Sequence, residues 1–163
     1  MIVVSDTTPL NYLVLISAVD VLPRLFDEVY APTSVLREMT DLRAPELVRH
    51  WSRNPPAWLK IADPLKRLAA TASLDPGEAD AISLAKERRI TDLLIDEFHG
   101  RKIAVAEGLN VLPTLAVLEK AAERELLQLR PALEALLRTS YRIRRELIDA
   151  ALARDAARSR RLT

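Results

Sequence analysis

A chain of 163 residues, 49% of them apolar, is long enough to enclose one sizeable core. It has no cysteine, which excludes disulfides, thiolate metal sites and a cysteine nucleophile, and its three glycines form neither a GxGxxG nor a GxxxxGK phosphate loop. A formal net charge of +1 excludes a polycation, although residues 1–112 carry 13 Lys/Arg against 16 Asp/Glu while residues 113–163 carry 11 against 7.

That asymmetry suits a polyanionic substrate met by a cation at one place and steered from another, or simply a solvated helical surface. The opening has no basic segment of a signal peptide, and no apolar run reaches membrane-spanning length. A soluble, cytoplasmic protein with no membrane partner is expected.

Taken in order, Ile2-Val3-Val4 reads as a short buried strand that stops at Asp6. Pro9 suits the first turn of a helix running to Ile16. Val19 to Leu25 is helical, and Glu28 to Ala31 is a second strand. Helices follow over about Ser34–Asp41 and Pro45–Ser52. Asn54-Pro55-Pro56 breaks the chain, and Trp58–Ile61 is a short extended piece at a sheet edge. Leu65–Ala72 reads as a weak helix and Leu74–Gly77 as a turn.

The next helix covers Glu78–Arg88. Leu93-Leu94-Ile95 is the second clear buried strand and again runs into a carboxylate, Asp96. His99–Glu107 is helical, with Gly108 placed to end it. Asn110–Leu112 is another strand. Helices over 114–126, 131–139 and 143–157 complete the chain, with fraying expected over Arg158–Thr163. Strands alternating with helices on short connections predict a three-layer α/β/α sandwich around an open, mainly parallel sheet of about five strands.

In such a sheet, strand carboxyl ends and the helix starts that follow share one edge, where sites collect. Asp6, Asp96 and Glu78 therefore converge, and Glu38 joins them if its helix points back over that edge. Each has a competing structural role: Asp6 as a helix cap, Glu78 as a charge at a helix N-terminus, Glu38 as a surface partner of Arg37 or Arg43. Asp80 is an alternative to Glu78, since two residues along a helix do not share a face. Gathered carboxylates repel, and a hard divalent cation, Mg²⁺ or Mn²⁺, resolves the repulsion. Thr7 beside Asp6 suits a hydrogen bond to a ligand or its water. Arg101 suits a phosphate or an orienting contact to a carboxylate. Asp75 and Asp92 read as turn residues, Glu97 leaves its strand away from Asp96, and His99 reads as a loop or capping histidine.

Four stretches together carry a resemblance: Val4-Ser5-Asp6-Thr7-Thr8-Pro9-Leu10, Tyr30 to Glu38, Leu74 to Ala85, and Leu93-Leu94-Ile95-Asp96-Glu97 with Arg101. In these the chain resembles the PIN-like nuclease superfamily, most closely the small prokaryotic proteins related to VapC-type toxins. The resemblance continues through Glu107-Gly108-Leu109, Thr114-Leu115 and the closing helices. It implies a single PIN-like domain over 1–163, with 128–163 as a helical C-terminal extension. It also implies Mg²⁺- or Mn²⁺-dependent cleavage of RNA. Asp6, Glu38 and Asp96 match the family's acids, and its third acid falls on Glu78 or Asp80. Toxin relatives form homodimers and are silenced by a small antitoxin protein. The segment after Asp96 departs from the common toxin pattern, so a non-catalytic PIN-like binding or regulatory module stands as the alternative. The arginines of the last third, Arg142, Arg144, Arg145, Arg154, Arg158, Arg160 and Arg161, offer themselves to phosphates, to solvent or to an acidic partner.

Overall fold

A computed structural model describes residues 1–161 and divides the chain into two compact units, one of residues 1–114 and one beginning at Leu115. The first is built on five strands: β1 (Ile2–Ser5), β2 (Glu28–Ala31), β3 (Leu59–Ile61), β4 (Asp92–Leu94) and β5 (Asn110–Leu112). Their spatial order is β3-β2-β1-β4-β5, and every neighbouring pair is parallel. Central parallel strands are covered on both faces, so they read as unbroken apolar runs. Val3 and Val4 in β1 and Leu93 and Leu94 in β4 are fully buried.

The crossovers fix the layers. From β1 the chain passes through α1 (Thr7–Leu15), a 3₁₀ turn at Val19–Val21 and α2 (Leu22–Leu25) to β2, then through α3 (Thr33–Thr40) and α4 (Glu46–Arg53) to β3. It then crosses to the other side of β1 by way of α5 (Pro76–Glu87), reaching β4, and through α6 (Phe98–Ala106) to β5. Right-handed crossovers running in opposite directions put α1 to α4 on one face and α5 and α6 on the other. The result is a three-layer α/β/α sandwich around an open parallel sheet. The direction reverses between β1 and β4, and their carboxyl ends flank that switch point. The Asp6 N–H donates to the Leu94 carbonyl at 2.9 Å, which ties the two ends together.

Helix α5 is deeply enclosed, buried at every residue from Gly77 to Ala85. Ala81, Ile82, Leu84 and Ala85 pack with Val4, Leu93, Ile95 and Ala104 in one apolar cluster. Helix α6 ends as Gly108 predicts. Gly108 has φ +81°, the Leu109 N–H donates to the Ala104 carbonyl at 2.9 Å, and only glycine takes that conformation without cost.

Two local expectations are corrected. Leu65–Ala72 is no helix; only Ala69–Thr71 makes a 3₁₀ turn. Its backbone donors are taken by α5 instead, with Leu65 N–H on Glu87 at 2.7 Å and Leu68 N–H on the Ser83 hydroxyl at 3.0 Å. Such side-chain acceptors compete with helical bonding. At the other end Arg158–Arg161 are helical and belong to the last helix, whereas residues 162 and 163 lie outside the described residues.

The second unit is helical, with α7 (beginning at Thr114 and ending at Glu123), α8 (Leu129–Leu137) and α9 (Arg145–Arg161). Leu129, Leu133 and Leu136 of α8 and Ile148 and Ala151 of α9 are buried. Arg154 makes a two-pronged ion pair with Glu119, at 2.8 and 3.1 Å, and Arg158 bonds Asp155. Two of the arginines offered to phosphates are thus engaged within the unit. Among the described residues, no helix is long and apolar enough to cross a membrane.

Candidate functional site

Asp6 follows the last residue of β1 and occupies the N-cap position of α1, which starts at Thr7 rather than at Pro9. Its side chain makes no capping hydrogen bond. The residue is 2% exposed, and Oδ1 is buried without a hydrogen-bond partner. A buried, half-satisfied carboxylate resists ionisation. Burial pushes Asp6 up to about 8, against the pull of the Thr7 backbone N–H, and the charges of Glu78, Glu38 and Asp96 push it further. These three acids, from three other segments of the chain, therefore all bear on Asp6.

Glu38 sits on α3 and points back to this edge. Its carboxylate accepts a short bond from the Thr7 hydroxyl and another, at 2.8 Å, from the Gly77 N–H in the first turn of α5. A Cβ at Gly77 would lie 2.7 and 2.9 Å from the Glu38 oxygens and 2.9 Å from the Thr7 hydroxyl, so the close approach requires glycine. Arg43 is spent on Asp41, at 2.9 and 3.2 Å.

The two acids of α5 part company. Glu78 is pushed up to about 7, first by burial and then by the charges of Glu97, Asp75 and Glu38. Its carboxyl carbon is 3.4 Å from where a Cβ of Gly100 would stand, at the start of α6. Asp80 faces Arg67, which holds it with two bonds of 2.5 and 3.0 Å. Burial raises Asp80, but the hydrogen bonds from Arg67 and Ser34 outweigh it and leave the group below its ordinary range.

Asp96, two residues past β4, accepts from the Thr114 N–H at 2.9 Å and from its hydroxyl at 2.6 Å. Thr114 is fully buried, and sequence reasoning did not single it out, because a threonine opening a helix looks like any other. Glu97 caps α6 by accepting from the Gly100 N–H at 2.8 Å. Asp75 stands at the N-cap of α5, whereas Asp92 opens β4 and accepts from the Asn110 amide at 2.8 Å. His99 meets Ser73 at 3.0 Å on the surface. The Arg101 Nε is buried without a hydrogen-bond partner.

A PIN domain family, DUF3368, matches residues 2–156 of this chain. The chain belongs to the PIN domain family. No curated protein matches it.

The donors at the PIN domain's acidic edge are all carboxylate oxygens, the type that hard divalent ions take, and the Asp6 Oδ1 is an orphaned acceptor. As arranged, however, no group of three or more His, Cys, Asp or Glu side chains among the described residues closes on one point as an ion requires. Glu38 and Asp96 instead direct oxygens at Thr7, Gly77 and Thr114. The donor chemistry fits the ion, although these oxygens do not converge on one point.

Proposed function

We propose that this cleft binds Mg²⁺ or Mn²⁺ and that the protein is a metal-dependent endoribonuclease cleaving RNA phosphodiester bonds in the cytoplasm. The observation that carries the reading is Asp6, buried at the switch point with one oxygen unpartnered and with three other acids bearing on it. A hard cation answers both the orphaned oxygen and the repulsion. When bound, it supplies Lewis-acid polarisation of a phosphoryl oxygen and a more acidic water.

Asp6 is the central ligand, and Glu38, Glu78 and Asp96 are its companions. Thr7 and the Gly77 N–H orient Glu38, and Thr114 orients Asp96, the supporting role that fixes carboxylates around an ion. Asp80 remains a structural partner of Arg67. Arg101, whose charge bears on Glu97, supplies a cation for a phosphate. In this reading the partners are RNA, a small antitoxin protein and a second copy of the chain, as the resemblance to toxin relatives implies.

A second reading rests on an observation of its own. Carboxylates that do not close on one point are what a non-catalytic PIN module, binding or regulatory, would carry. Calorimetric titration of Mn²⁺ into the wild type and into Asp6→Asn/Asp96→Asn separates the two. Stoichiometric binding lost in the variant, with RNA cleavage falling to background while the fold persists, is the expected result. Equal affinity in both proteins would remove the metal site, and the enzyme with it.

A further inference from the structure

Apart from Arg101, the outer face of α6 takes no part in the acidic cleft. Phe98, Arg101, Lys102 and Val105 recur at i, i+3, i+4 and i+7 and so share one side of this helix. The opposite side carries the buried Gly100 and Ala104. Phe98 is 66% exposed and Val105 56%. With Ala106 and with Val111 of β5 these four residues line an open recess of about 480 Å³. Its walls are apolar and its charges are both positive. The Lys102 Nζ stands 5.7 Å from the Phe98 ring centre, and the Arg101 Nε is buried without a hydrogen-bond partner, its charge bearing on Glu97.

The charge decides between occupants. A second copy docked face to face across a two-fold axis would oppose Arg101 and Lys102 to themselves, with no carboxylate in the recess to offset them. An occupant with a flat apolar face and a negative charge beside it has no such conflict, and an unpaired nucleobase with its phosphate is that occupant. Along the chain the recess starts close to the proposed centre: Phe98 is two residues past Asp96, and Gly100, on the opposite side of the same helix, abuts Glu78.

We propose that the Phe98–Val105 face of α6 is a substrate subsite that stacks one unpaired base of single-stranded RNA on Phe98, with Arg101 and Lys102 holding the flanking phosphates. The proposal rests on the nuclease reading for its choice of RNA. The test is equilibrium binding of a single-stranded oligoribonucleotide carrying 2-aminopurine, in chelator-treated buffer where no strand is cut. Phe98→Ala is expected to weaken binding about tenfold and to abolish quenching of the 2-aminopurine, while Phe98→Trp keeps both. Lys102→Ala is expected to lower the slope of affinity against salt by about one phosphate contact.

Unchanged affinity and quenching in Phe98→Ala, with the wild type cutting RNA in Mn²⁺, overturns the subsite and leaves the nuclease reading standing. Phe98-dependent binding by a protein that cuts nothing upholds the subsite and removes the nuclease reading. A wild-type dimer that Phe98→Ala turns into monomer on sedimentation assigns the face to a second copy and overturns the proposal.

Discussion

At the scale of single residues, the site depends on one missing side chain. Gly77 lets the Glu38 carboxylate approach the start of α5, where it takes the backbone N–H and the Thr7 hydroxyl together. Gly77→Ala gains up to about 1 kcal/mol of helix propensity. It also drives a methyl group into oxygens held at both ends, and overpacking of this kind costs roughly 1–3 kcal/mol. The clash wins, because Glu38 cannot retreat without giving up both donors. The variant is expected to show a lower urea midpoint at unchanged m value and weaker Mn²⁺ binding. Asp6 and Asp96 were legible because a buried apolar run ending in a carboxylate is visible in the bare sequence. Thr114 was not, since its contact with Asp96 crosses 18 positions and depends on how β4 and β5 align.

At the scale of elements, α5 carries two acids with opposite assignments. Glu78 faces the cleft and Asp80 faces Arg67, as expected of residues about 200° apart on a helix. Asp80→Asn is expected to lower the melting temperature, because Arg67 loses its partner, and to leave Mn²⁺ affinity unchanged. Glu78→Gln is expected to weaken Mn²⁺ binding about tenfold or more without lowering the melting temperature. Titration and thermal melting of the two variants side by side measure this; the reverse pattern would assign the ligand to Asp80. The sequence left this choice open because the partner that settles the direction of Asp80 lies in Leu65–Ala72. That stretch has helical spacing but surrenders its backbone donors to α5. The alternation of strands and helices, in contrast, was readable outside Leu65–Ala72, since the central strands sit in short apolar runs bounded by turn residues.

At the scale of the whole molecule, the buried acids set how stability responds to pH. Asp6 is pushed up to about 8 and Glu78 to about 7, while in the unfolded chain both titrate in the ordinary carboxylate range. Between that range and pH 8 the native protein holds protons that the unfolded chain has released. Raising the pH through this window therefore favours unfolding. Asp41 works in the other direction: its hydrogen bonds to Arg43 hold it down to about 2, so its contribution is lost only in strong acid. In chelator-treated buffer the melting temperature is expected to be highest near about pH 5 and to fall by pH 8. Added Mn²⁺ is expected to raise it most at pH 8, where the ligands are already ionised. Scanning calorimetry across pH, with and without Mn²⁺, checks both signs. A melting temperature that climbs from pH 5 to pH 8 without metal would contradict the burial assigned to Asp6.

The enclosure of α5 also bears on how this protein can be altered. From Gly77 to Ala85 the helix offers no side to solvent, so any change of volume there reaches several neighbours at once. A randomised library would return almost nothing from those positions and many folded clones from Phe98, Lys102 and Val105 across the way. New specificities, if selected, should accumulate on the rim and leave the keel alone.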